Sequence, residues 1–149
     1  KITLATSKDI DEVARLFDLY RQFYEQDPDL TLAQRYIGEQ IANGSSVIFV
    51  AWGGEGEDHH AVGFTQLYST FCSVEASPIW ILYDLYVEED IRGKGIGKSL
   101  MQQARKMAAK SGASRIDLET AFDNINAQAL YESLGYEKDN EFYKYSLEL

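Results

Sequence analysis

One stretch restricts the possible folds more than any other: Val87-Glu88-Glu89-Asp90-Ile91-Arg92-Gly93-Lys94-Gly95-Ile96-Gly97-Lys98-Ser99-Leu100. Ahead of it, Ile79 to Glu88 is a long apolar run that reads as a strand covered on both faces. After it, Ile96, Leu100, Ala104, Met107 and Ala108 recur at helical spacing. A strand that enters a helix through a glycine turn belongs to a layered α/β sheet. The same geometry makes an anion site, because the first N–H groups of a helix lack carbonyl partners and the helix dipole is positive there. Glycines let backbone come close to a phosphate, and Arg92, Lys94 and Lys98 add positive charge. The spacing excludes a Walker A loop, which needs Gly-x4-Gly-Lys-Ser/Thr. It also excludes the dinucleotide fingerprint, since Gly97 comes one place too early. Taken alone, the turn is also compatible with a tight bend that holds no ligand.

The rest of the chain extends the layered pattern. Ile2 to Ala5 reads as a first strand, and Thr6 and Ser7 as candidate caps. Ile10, Val13, Phe17, Tyr20 and Tyr24 mark an amphipathic helix over about 9–25, stopped by Asp27-Pro28-Asp29, which can also cap the next helix. Leu30, Ile37 and Ile41 mark the buried face of that second helix, and Asn43-Gly44 ends it. Strands follow over 46–52 and 61–69, with a polar glycine-containing turn between them and a loop expected over 70–78. Ser111-Gly112 ends the helix after the glycine turn. A strand over 115–120, a helix over about 126–134 and a final alternating strand over 141–149 complete the series. The order β-α-α-β-β-β-α-β-α-β, with no linker or repeat, predicts one domain over 1–149 and a mixed sheet with helices on both faces.

Charge narrows the partners. The formal net charge of −10 argues against general binding to nucleic acid or anionic membrane, both of which need basic surface. It suits a cationic substrate, although acidic charge also serves solubility alone. No apolar run reaches membrane-spanning length, the start of the chain shows no secretory signal, and the single Cys72 cannot form an internal disulfide. These features predict a cytoplasmic protein with no metal site, in which Cys72 is structural.

With Arg92, Gly95 and Gly97 set after an apolar strand, the loop resembles the cofactor motif of the GNAT superfamily of acetyl-CoA-dependent N-acetyltransferases. A second segment, Asn124-Ile125-Asn126-Ala127-Gln128-Ala129-Leu130-Tyr131-Glu132-Ser133-Leu134-Gly135-Tyr136, resembles that family's Asn-x-x-Ala-x-x-Leu-Tyr-x-x-x-Gly-Phe/Tyr motif. The resemblance implies an α/β fold: a central, mostly antiparallel mixed sheet of six to seven strands flanked by about four helices. It implies that Arg92, Gly93, Lys94, Gly95, Ile96, Gly97 and Lys98 hold the pyrophosphate of acetyl-CoA. It also implies that Leu85, Tyr86 and Val87 pair with the pantetheine arm, that Asn124 binds a cofactor amide, and that Tyr131 lies near the thioester sulfur. Read from local chemistry alone, Asn124 is equally a helix cap, with Asn126 as its rival.

The reaction implied by the resemblance is direct attack of an amine on the thioester through a tetrahedral intermediate. A backbone N–H near Tyr86 stabilises the oxyanion, and Tyr131 is the candidate general acid. Leu82 to Val87 resembles the matching strand of the diamine (polyamine) acetyltransferase branch, but this chain has Tyr83-Asp84 where that branch carries Glu-Asp. An acid within so apolar a strand is out of place unless it is paired or functional. Three roles are open to Asp84: binding substrate ammonium, relaying a proton through water, or pairing structurally. Glu119 is a weaker candidate base. Glu25, Asp27 and Asp29 form an acidic cluster, and Tyr20, Tyr24, Tyr68 and Phe71 are candidate aromatic walls for an alkylammonium; a solvated turn with core aromatics accounts for the same residues. The expected partner is a small-molecule or peptide amine, and the aromatic final strand suggests a homodimer or higher homo-oligomer. A non-catalytic acyl-CoA-binding module on the same fold is the competing reading.

Overall fold

The computed structural model describes residues 1–149, which fall into two compact units, 1–118 and 119–149. The first unit is built on a five-stranded sheet in the order β1-β2-β3-β4-β5. Its strands are β1 (Ile2–Leu4), β2 (Val47–Gly53), β3 (His60–Cys72), β4 (Ser77–Val87) and β5 (Ile116–Asp117). The first four pair antiparallel and β5 joins β4 in parallel. The helices of this unit are α1 (Ile10–Phe23), α2 (Leu30–Asn43) and α3 (Ile96–Lys110).

Strand alternation divides the core into two layers. On β2, Ile48 and Val50 join Val13, Ala14, Leu16 and Phe17 of α1 and Ala33 and Ile37 of α2 in one buried cluster. Phe49 and Ala51 point the other way and are also buried. That second face is covered by α3, which buries Leu100, Met101, Ala104 and Ala108 and contacts β1 through β4. Gly63 leaves no room for a side chain between β4 and the start of α3: a Cβ there would meet the Tyr86 carbonyl oxygen at 3.0 Å and the Ile96 side chain at 3.4 Å.

Helix boundaries follow local chemistry. The Asp29 side chain accepts from the Leu32 N–H at 3.0 Å and caps α2, and Gly44 ends it at φ +61°. Asp18, which is buried, accepts from the Asp29 N–H at 2.9 Å and so fixes the link between α1 and α2. Gly112 follows α3 at φ +85°.

Four expectations need correction. The sheet has five strands, not six to seven. The loop expected over 70–78 shrinks to 73–76, because the β3–β4 ladder continues to Cys72 and Ser77. The strand expected over 115–120 keeps only Ile116 and Asp117, whose pairing with β4 stops at Trp80 and Ile81. The final strand over 141–149 does not form: Phe142, Tyr143, Tyr145, Leu147 and Leu149 are exposed and belong to no ladder. Alternation permits a strand, but only a neighbouring ladder makes one.

The second unit contains α4 (Ile125–Ser133), followed by Gly135 at φ +93°. Asn124 is its cap: the side-chain oxygen accepts from the Ala127 N–H at 3.3 Å. This decides the choice between Asn124 and Asn126, which lies inside the helix. No helix of the molecule is long and apolar enough to cross a membrane.

Candidate active site

The site in residues 1–118 begins with a fault in the β3–β4 ladder. Gln66 is opposite Asp84, but Leu67 is opposite Leu82, so Tyr83 is an extra residue on β4. The bulge reverses the strand's facing from that point on. Leu82 shares the face of Leu67, whereas Asp84 shares the face of Gln66, Ile48 and Val50, which is the α1–α2 side. Thr65 Oγ1 donates to the Asp84 carbonyl oxygen at 2.8 Å and ties down the backbone beside the bulge.

Asp84 is 4% exposed. Gln66, itself fully buried, donates from Nε2 to Asp84 Oδ2 at 2.5 Å, and its Oε1 accepts from Ser46 Oγ at 2.7 Å. Burial pushes the Asp84 carboxyl up to about 6, against the opposing pull of hydrogen bonds from Gln66 and Tyr20. Tyr20, Tyr24 and Tyr68 lie within electrostatic reach of this carboxylate; burial first and its charge second push Tyr20 and Tyr24 up, while Tyr68 is pushed up by burial, its bond to Tyr36 and that charge. The single Tyr20 O–H is shared between that carboxylate and the Tyr83 carbonyl oxygen, which it reaches at 3.1 Å, and the Tyr36 and Tyr68 hydroxyls are 2.6 Å apart. Three of the four expected aromatic residues therefore gather at Asp84. Phe71 stands 75% exposed near the β3–β4 turn, and Tyr83 joins the group instead, 6.0 Å from Tyr68 ring to ring.

Sequence reasoning passed over Gln66, Ser46 and Tyr36. The available signal was a lone glutamine within the apolar run 61–67, at a strand position that must face a core. Of the acidic cluster, Asp29 is a helix cap. Glu119, the weaker candidate base, accepts from Lys144 Nζ at 2.9 Å in an exposed ion pair of the second unit.

Beyond Asp84, Leu85, Tyr86 and Val87 pair with Thr65, Phe64 and Gly63 on one side. Their other edge has no strand within residues 1–118, because β5 stops opposite Ile81. The strand end is anchored by Arg15, which donates to Glu88 Oε1 at 2.9 Å and to the Ala61 carbonyl oxygen at 2.7 Å. The glycine turn then places Gly93 at φ +82° and Gly95 at φ +81°. Gly95 is the residue that opens α3; no side chain caps this helix and its first turn holds no acid. Ser99 N–H is the donor that reaches Gly95 O, at 3.0 Å, so the amides of Ile96, Gly97 and Lys98 precede the first helical bond. Arg92, Lys94 and Lys98 are exposed around them. Arg92 turns back on the strand, with Nε donating to the Val87 carbonyl oxygen at 2.8 Å and its guanidinium 5.3 Å from the Tyr86 ring centre and 6.0 Å from that of Phe23.

In the second unit, α4 carries the expected pair. The Asn124 cap uses only the carbonyl oxygen of its side chain, so the amide NH2 is left to donate elsewhere. Tyr131 is half-buried, with its ring 6.1 Å from that of Tyr136.

The sequence profile described as Acetyltransferase (GNAT) family matches residues 11–136, a span holding the open strand edge, the glycine turn and α4. The chain belongs to the GNAT family. It is 40% identical over 146 residues to the uncharacterized N-acetyltransferase YhfO of Bacillus subtilis (strain 168), covering 98% of this chain and 95% of that one. It is 31% identical over 88 residues to the D-amino-acid N-acetyltransferase HPA3 of Saccharomyces cerevisiae, covering 59% and 55% of the two chains. A crystal structure titled as that of a probable acetyltransferase superposes with a TM-score of 0.91 at 35% identity, covering 100% of this chain and 97% of its own. Membership makes this protein an N-acetyltransferase, and the acetyl donor of the family is acetyl-CoA.

Proposed function

We propose that this GNAT enzyme acetylates a primary amine from acetyl-CoA, with residues 1–149 working as one catalytic domain. The observation that carries the reading is the continuity of an open strand edge at Leu85 to Val87 with an uncapped helix start at Gly95. An extended arm can add to that edge as a strand would, and a pyrophosphate can take the free amides of Ile96, Gly97 and Lys98. Arg92, Lys94 and Lys98 supply countercharge, and the side-chain amide of Asn124 supplies a further donor.

Acetyl-CoA supplies the activated acyl group. The chain's task is to receive the amine, orient it and handle protons. The amine nitrogen must be neutral to attack the thioester carbonyl carbon, so one proton leaves it first, toward Asp84 or water. As the C–N bond forms and the C–S bond breaks, the backbone N–H near Tyr86 would stabilise charge on the acetyl oxygen, Tyr131 would protonate the departing sulfur, and the second proton leaving the nitrogen would return through water to the Tyr131 oxygen.

The test is release of free thiol from acetyl-CoA with a panel of amines. Amine-dependent release is expected. Tight CoA binding without turnover on any amine would instead support the non-catalytic acyl-CoA-binding module. The loop's part is tested separately by Gly95→Ala. A Cβ at φ +81° meets no atom within 4 Å, so the cost is backbone strain alone, about 1–2 kcal/mol. Thermal melting should show that loss, and calorimetry should show CoA affinity down roughly tenfold as the amides turn out of line.

A further inference from the structure

Asp84 lacks a counter-ion. It takes part in none of the ion pairs of residues 1–118, and burial, Gln66 and Tyr20 set its charge state, with no lysine or arginine among the causes. A buried carboxylate in such surroundings is either protonated or completed by a cation from outside. The hydrogen-bond chain favours the second. With Ser46 donating to Oε1, Gln66 turns its NH2 toward Asp84, and an N–H donor stabilises an ionised carboxylate. The surrounding rings lead inward from solvent: Tyr24 is 46% exposed and Tyr83 is 63% exposed, whereas Tyr20, edge-on to Tyr24 at 5.1 Å, is more deeply set. Aromatic faces attract organic cations.

Building on the acetyl-transfer reading above, we propose that the acceptor is an alkylammonium with no carboxylate beside its nitrogen, docked on Asp84. Gln66 and Ser46 are the positioning residues for that carboxylate, and Tyr20, Tyr24, Tyr68 and Tyr83 flank the alkyl chain. An α-amino acid would bring its own carboxylate to within a few ångströms of Asp84, where the two like charges repel; the basic group over the neighbouring Tyr86 ring, Arg92, already donates through Nε to the Val87 carbonyl oxygen, and no lysine or arginine acts on Asp84 itself. Monoamines, diamines and lysine side chains satisfy the site; the α-amino group of a free amino acid does not. This sets the chain apart from what the name of its yeast relative states.

The experiment compares acceptors that differ only in the carboxylate: pentylamine with norleucine, and 2-phenylethylamine with phenylalanine. The full chain should prefer the amine of each pair by roughly a hundredfold or more in kcat/KM. Equal rates, or preference for the amino acid, overturn the proposal. Gln66→Met should raise KM for pentylamine about tenfold and leave KM for acetyl-CoA unchanged, while the acidic limb of the kcat/KM profile moves to higher pH. Ser46→Ala should do the same to a smaller extent. A Gln66→Met profile superposable on that of the wild type removes the positioning role. If no amine turns over, the acetyl-transfer reading has failed, and calorimetry with pentylammonium then decides this site alone. Binding that Asp84→Asn abolishes supports it, and absence of binding to the wild type overturns it.

Discussion

Asp84→Asn is expected to cut amine acetylation by roughly a hundredfold or more and at the same time to make the protein more stable. Burial raises the Asp84 carboxyl from 3.8 to about 6. A carboxyl whose folded-state value is raised binds its proton more tightly in the folded than in the unfolded chain. It therefore costs nothing below 3.8, costs progressively more as pH rises toward about 6, and carries its full penalty above that. The gap corresponds to about 3 kcal/mol. Asparagine can still accept from Gln66 Nε2 and carries no charge, so at about pH 8 the variant should withstand denaturant better by an amount of that order. The gain should shrink as pH falls and vanish near pH 4. Denaturant melts of both proteins at several pH values provide the measurement. A variant no more stable at pH 8 would show that the carboxylate is not held at a cost, and a variant that keeps its activity would remove Asp84 from the acceptor site. Stability given up where function requires a charge is a recurrent pattern in enzymes.

Tyr131→Phe should lower kcat with amine acceptors by roughly 10²–10³-fold, the usual scale for loss of a general acid. The ring stays, and with it the contact to Tyr136, so the fold should be kept and any loss of stability should stay within that of one hydroxyl interaction, about 1 kcal/mol. CoA affinity by calorimetry should change by less than about twofold, because only the phenol oxygen is removed. The alkaline limb of the kcat profile, which reports the acid losing its proton, should disappear. Unchanged kcat would take the general-acid role from Tyr131. A parallel fall in CoA affinity would make it a binding residue.

These two residues differ in how far they could be read from the chain. Tyr131 is legible from the motif; the cap at Asn124 is one of two choices the sequence offers, and the hydrogen bond from the Ala127 N–H decides it. Asp84 was visible only as an acid in the wrong company. Its meaning depends on the bulge at Tyr83, which turns it from the face of Leu82 to that of Gln66 and α1. Nothing in the residues 79–88 encodes that turn by itself, because a strand's register depends on the fit of two strands to each other.

The C-terminal residues show the opposite error. Phe142, Tyr143, Tyr145, Leu147 and Leu149 carry a strand-like pattern, yet they form no ladder. What the sequence by itself determined is local: helix periods, the glycines at positive φ in the turn, and the unblocked start of α3. Each of these rests on contacts a few residues apart, or on a backbone freedom belonging to one residue. Only the tertiary structure decided the strand count, the open edge at Leu85 to Val87, and the Ser46–Gln66–Asp84 chain. Those features join residues far apart in the chain, Ile2 to Ala51 and Ser46 to Asp84 among them, and become definite only when a packed core fixes which faces meet.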